Sequence, residues 1–305
     1  ADGVLVIRHV NELSVTTDIA RRAEFADRRT SRTVDGEPMS GWFTEPFTLD
    51  EVRMIGAAEP LPHIRPSSAE HDGIYAIPTL DDVLTLTGQV NARRDLPVGL
   101  YLELKHPSHF ASCGLDLTGP LLADLERHDL LDADAPLLIE ASEIAVLQDL
   151  STRITTPLTQ LIDRAGGPFD SSGSPDAPTY EYLCTREGLA EIATYARFVG
   201  ASKHRVLPRD THDRLGTPTP LVARAHVAGL GVHVWTMRDE NTYLPQDMRR
   251  GPSKQDKGDA AAEYRAFFDA GVDGVFTDFV DTALAARSAW SEGLTRGRDP
   301  FTRRG

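Results

Sequence analysis

Long apolar runs are missing from the 305 residues. None approaches the roughly 20 needed to span a bilayer, so the chain is not expected to be an integral membrane protein. Positive charge is scarce: 32 Lys and Arg stand against 46 Asp and Glu, a net charge of −14. That balance repels polyanions over long range and argues against a nucleic-acid partner. It leaves room for a small phosphorylated ligand, because a metal or one local Lys can reverse the field inside a pocket. Cysteine is nearly absent. Cys113 and Cys184 lack metal-type spacing and read as two buried thiols ahead of a single bridge. No Gly-x-Gly-x-x-Gly follows a strand, which weakens the case for a dinucleotide-binding sheet. The first residues, Ala-Asp-Gly, carry no basic and apolar leader, and the chain reads as processed or cut.

What is present suits a soluble globular protein with a sizeable core: 40% hydrophobic residues and 26% charged. From residue 78 onward short apolar strands alternate with amphipathic helices. Thr79 and Asp82 form a capping pair ahead of Leu80, Val83, Leu84 and Leu86. Strands are expected at 98–105, 136–140, 157–162, near 198–199, at 231–236 and at 272–277, with another apolar piece at 206–207. Gly229 and Gly271 stop the helices that precede the last two strands. The stretch 164–184 reads as a long loop. Repeated βα units predict a parallel sheet covered by helices, and the length suits one (β/α)8 barrel. About six strands are counted where a closed barrel needs eight. Residues 3–9 are one more strand-like piece, 10–75 read as an insertion or cap, and 291–305, with Arg296, Arg298, Arg303 and Arg304, as a frayed tail. The chain is thus expected to be a single barrel domain over 1–290, short of its first one to two strands.

The most informative strand is Val98-Gly-Leu-Tyr-Leu-Glu-Leu-Lys-His-Pro107. Side chains two apart share a face, so Glu103 and Lys105 project together. A carboxylate and an ammonium on an otherwise apolar strand are costly to desolvate unless they pair, hold a metal or meet a charged ligand. An internal ion pair is the plainer alternative. His106 and His109, three apart beyond the strand, look incidental as metal ligands. His233 reads as a satisfied interior histidine, Trp235 equally as core or site, and Asp278 as a helix cap or a mouth residue. His9 taken alone is an ordinary loop histidine.

Several motifs in order change that reading of His9. Asp2-Gly-Val-Leu-Val-Ile-Arg-His-Val-Asn-Glu-Leu-Ser-Val-Thr-Thr-Asp18, Ile77-Pro-Thr-Leu80, Tyr101-Leu-Glu-Leu-Lys-His-Pro107, Val232-His-Val-Trp-Thr236 and Asp273-Gly-Val-Phe-Thr-Asp-Phe279 resemble the glycerophosphodiester phosphodiesterase family from residue 1 to about 287. Their order and spacing fit its bacterial, periplasmic or secreted branch. The resemblance implies a βα barrel of TIM type that hydrolyses glycerophosphodiesters to glycerol 3-phosphate and an alcohol with a divalent cation, Ca²⁺ or Mg²⁺. It implies that His9 is one of two acid–base histidines and that Glu103 binds the metal. Lys105 would face the phosphate and Trp235 would pack against the glycerol. Lys203, apart from the resemblance, is a weaker candidate for a second phosphate contact.

The chain departs from the family pattern in places. The His-Arg strand and the Glu-x-Asp strand that precede the position of His9 in the family do not stand ahead of His9 in this sequence; Glu140-Ala-Ser142 replaces the usual Gln-Ser-Phe; Ala201-Ser202 interrupts the usual Gly-Pro-Asp; and Val10 follows His9 where an acid is common. Two rival readings are a phospholipase D- or C-like lipid phosphodiesterase and a non-catalytic ligand-binding barrel. No basic or aromatic membrane-binding stretch favours the lipase.

Overall fold

The computed structural model describes residues 1–174 and 176–297, with side chains through 294. In chain order the elements are β1 (Thr30–Val34), β2 (Glu37–Gly41), α1 (Leu49–Arg53), α2 (Pro66–Ala69), α3 (Leu80–Asn91) and β3 (Leu100–Leu104). These are followed by α4 (Pro107–Ser112), α5 (Thr118–Arg127), β4 (Leu137–Ala141), α6 (Ile144–Ser151), β5 (Leu158–Ile162), α7 (Tyr180–Leu183) and α8 (Arg186–Ile192). The chain ends with β6 (Phe198–Ser202), α9 (Lys203–Val206), α10 (Leu221–Val227), β7 (Gly231–Met237), α11 (Ala260–Asp269), β8 (Gly274–Thr277) and α12 (Val280–Gly297). Strand order in the parallel sheet follows chain order from β3 to β8. This is the βα arrangement of a TIM-type barrel. Among the described residues no helix is long and apolar enough to cross a membrane. The chain divides into two compact units, Ala1–Gln160 with Pro168–Ala177, and Leu161–Gly167 with Pro178–Gly305.

In the first unit the capping pair at α3 forms as expected. Thr79 Oγ1 accepts from Asp82 N at 3.0 Å and Asp82 Oδ2 accepts from Thr79 N at 2.9 Å. The helix buries Leu80 and Leu84, while Leu86 faces solvent. Glu103 pairs in register with Glu140, and Glu140 with Thr159, which fixes three adjacent strands. Residues 3–9 do not form a strand. Val6 makes one antiparallel bridge to Thr79, and Ile7 N donates to Pro78 O at 2.9 Å. A single bridge does not extend into a ladder, although Val6 joins the buried cluster while Val4 and Ile7 are exposed.

The segment 10–75 is more regular than its polar composition suggests. Its Leu13, Ile19, Phe25, Trp42, Phe47, Val52 and Ile55 form a buried cluster with Ile77. Strands β1 and β2 make an antiparallel hairpin whose two-residue turn is Asp35-Gly36, both at positive φ (49° and 83°). That geometry is what an Asp-Gly pair between strands specifies.

In the second unit Gly229 and Gly271 adopt φ of 81° and 86° after α10 and α11, the expected helix stops. His233 on β7 stacks on Phe198 with ring centroids 4.6 Å apart, and a Cβ on Gly274 would lie 2.7 Å from the His233 ring. Glycine on β8 is what admits the imidazole. The piece at 206–207 is not a strand: α9 leads into it directly from β6. Helix α12 continues to Gly297, into the stretch expected to be frayed; Arg298, Arg303 and Arg304 lie outside the described residues. Both cysteines are free thiols, but neither is fully buried as expected: Cys113 is exposed and Cys184 half-buried.

Candidate active site

The site is built on one face of β3, β4 and β5. The pleat turns Tyr101, Glu103 and Lys105 the same way, and Lys105 Nζ donates to Glu103 Oε2 at 2.7 Å. On β5, Thr159 shares this face: its hydroxyl lies 2.5 Å from the Tyr101 hydroxyl. Burial raises the Tyr101 pKa, so the phenol stays neutral. Between them on β4 sits Glu140, only 6% exposed, with Oε2 lacking a hydrogen-bond partner among the described residues. Burial, then repulsion from Glu103, pushes the Glu140 carboxyl up to about 8, against the lowering effect of Lys105. Glu103 and Lys105 are about a quarter exposed (24% and 25%), so solvent and a ligand reach this end of the face.

The site thus has two carboxyl groups on neighbouring strands, one ammonium, and one buried oxygen with no donor among the described residues. A hard divalent cation takes carboxylate oxygens of this type, so the residues present fit such an ion. Sequence reading identified Glu103 and Lys105 from strand alternation but not Glu140. Its place beside Glu103 depends on strand register, which no local pattern encodes.

Beyond the strand, His106 adopts a left-handed conformation (φ 54°) and its Nδ1 lies 2.6 Å from Asp35 Oδ2. His109 Nε2 lies 2.6 Å from Glu45 Oε1, which also accepts from Asn11 Nδ2 at 3.1 Å. The two histidines therefore go to different acids, in keeping with the view that their spacing is incidental. Glu45, His109 and Cys113 do offer ligand atoms within 4.8 Å of one another. Glu45 lies 64 residues before His109, too remote for spacing to reveal the group. Ser108 N donates to both Glu143 oxygens (3.2 and 3.1 Å), fixing the first turn of α4.

His9 is exposed at a bend. Its neighbours are held on both sides, by the Ile7–Pro78 hydrogen bond and by Thr44 N donating to Asn11 O at 3.0 Å.

In the second unit Trp235 is half-buried and its Nε1 donates to Gly200 O at 2.8 Å. Lys203 is 7% exposed, and its Nζ donates to Glu263 (3.0 and 3.1 Å) and to Tyr243 O (3.2 Å). A phosphate reaching Lys203 would compete with that carboxylate. Burial lowers the His233 pKa, as suits an interior histidine. Asp278 Oδ2 accepts from Arg238 Nε at 2.8 Å.

A family model described as the glycerophosphoryl diester phosphodiesterase family matches residues 1–282. Glycerophosphodiester phosphodiesterase GDPD6 of Arabidopsis thaliana is 31% identical over 291 residues, covering 91% of this chain and 73% of its own length. GDPDL3 of the same plant is 26% identical and covers 92% of this chain, which spans only 34% of that longer protein. The glycerophosphodiester phosphodiesterase of Haemophilus influenzae is 22% identical, over 93% of this chain and 78% of its own. A solved structure from Silicibacter pomeroyi carrying the same diesterase name matches with a TM-score of 0.60 at 18% identity, over 95% of this chain and 80% of that one. Another from Agrobacterium tumefaciens gives 0.54 at 18% identity, over 97% and 83%. These two show a shared fold.

Proposed function

The chain belongs to the glycerophosphoryl diester phosphodiesterase family, a family of divalent-metal-dependent hydrolases, and from this we propose that it cleaves glycerophosphodiesters to sn-glycerol 3-phosphate and an alcohol. The observation that supports this most is the Glu103–Lys105 pair at the end of β3, on a face shared with the buried Glu140. Glu103 is the metal ligand, for Ca²⁺ or Mg²⁺, and the bound cation would draw charge from the phosphate. Lys105 Nζ, held by Glu103 in the free protein, turns to a non-bridging phosphate oxygen and stabilises charge that grows in the transition state. His9, in its Arg-His-x-x-x-Leu-Ser-x-Thr-Thr-Asp frame, donates a proton as an imidazolium to the departing alkoxide while a water, losing its own proton to solvent, forms the new bond to phosphorus. The order and spacing of the motifs support a periplasmic or secreted location.

The test is release of glycerol 3-phosphate from glycerophosphocholine with Ca²⁺ or Mg²⁺, run beside a choline-bearing lysolipid. Product from the first substrate is the expected result. Turnover of the lipid alone would support a lipid phosphodiesterase, and turnover of neither a ligand-binding barrel.

A further inference from the structure

We propose that Glu140 is a second carboxylate ligand for the divalent cation, working from β4 beside Glu103 on β3. The inference rests on the functional reading above only in placing a cation at Glu103. The chain carries Glu where the family resemblance has Gln, so this is a property of its own residues.

Three observations carry it. First, the parallel register places Glu103 directly opposite Glu140, and partners in register project to the same face of a sheet whose strands lie about 4.8 Å apart. Two carboxylates so placed repel unless something positive lies between them. Second, the donors on this face are already engaged. Lys105 Nζ is bonded to Glu103 Oε2, and the Tyr101 and Thr159 hydroxyls bond each other. Third, Glu140 Oε2 is buried without a donor among the described residues, in a side chain 6% exposed. A buried acceptor left unpaired has lost its hydration with nothing in return, and the cost is greater when it is charged. A cation held between the two carboxylates removes both the repulsion and the orphan. A lone proton on Glu140 would remove the repulsion as well, and the two explanations differ in what they predict for Gln.

The experiment is calorimetric titration of Ca²⁺ and of Mg²⁺ into metal-free wild type, Glu140→Gln, Glu140→Ala and Glu103→Gln at pH 8, with melting temperatures recorded with and without metal. The Gln variant keeps the shape of the protonated acid, so without metal it is expected to melt no lower than wild type. Its cation affinity is expected to fall at least tenfold, its metal-induced rise in melting temperature to shrink accordingly, and Glu103→Gln to behave likewise. Should the Gln variant fail to fold, the Ala variant is expected to show the same loss. Affinity within twofold of wild type in either folded variant overturns the proposal, as does a wild type that binds neither ion. Hydrolysis of glycerophosphocholine with cation affinity indifferent to Glu140 sinks this inference alone. Glu140-dependent binding without hydrolysis sinks the functional reading and leaves the ligand assignment standing.

Discussion

Lys105 and Glu103 hold each other in the free protein, so changing either alters two charges on one face. Lys105→Met keeps the stem and removes the ammonium. It is expected to lower kcat on the order of 10²-fold through lost transition-state stabilisation, read by steady-state release of glycerol 3-phosphate. A fully active variant would take Lys105 out of the mechanism. At this scale the sequence was most readable where chemistry follows the two-residue repeat of a strand: Glu103 and Lys105 needed only alternation to be placed together. Glu140 also stands at the end of an apolar run, yet its significance depends on which residue of β3 it faces. His109 and Glu45 were illegible for the same reason, joined at 2.6 Å across 64 residues.

Among the elements, α3 owes its start to two reciprocal hydrogen bonds, so Thr79→Ala is expected to cost about 1 kcal/mol. That corresponds to a fall in melting temperature of roughly 2–4 °C, measurable by calorimetry. Capping chemistry and helical periodicity lie within a few residues, which is why α3, α5, α6, α10 and α11 and the six parallel strands were legible. The short α4 and α9 were not: each follows a strand at once and is too brief to show a period. The hairpin of β1 and β2 was passed over although Asp35-Gly36 marks its turn, because flanking polar residues hide the alternation. Residues 3–9 misled in the opposite sense, being apolar in pattern but covered on one side only.

Two stability terms belong to the molecule as a whole. Glu263 is 1% exposed and accepts from Lys203, with Arg209 Nη2 at 3.6 Å. Glu263→Ala would leave that ammonium buried and unpaired, an expected loss of about 3–5 kcal/mol by denaturant unfolding, whereas an exposed pair such as Arg153–Asp149 should give under about 1 kcal/mol. The second term is pH. Burial, reinforced by Arg209, Arg164 and Lys203, lowers the His204 pKa to about 4 from 6.5. Between those values the folded state binds fewer protons than the unfolded one. The contribution of His204 is therefore intact above about 6.5 and lost as pH falls toward 4. His204→Asn should lose less melting temperature than wild type between pH 7 and pH 4.5, by on the order of 2–4 °C. Equal losses in both proteins would remove His204 as a source of acid sensitivity.

The left-handed His106 that follows the strand of Glu103 and Lys105 grips Asp35, the first residue of the hairpin turn. The mouth of the proposed site is thus moored to the tip of a separate β ribbon. Lengthening or shortening that ribbon would move the anchor of His106 while leaving Glu103 and Lys105 untouched.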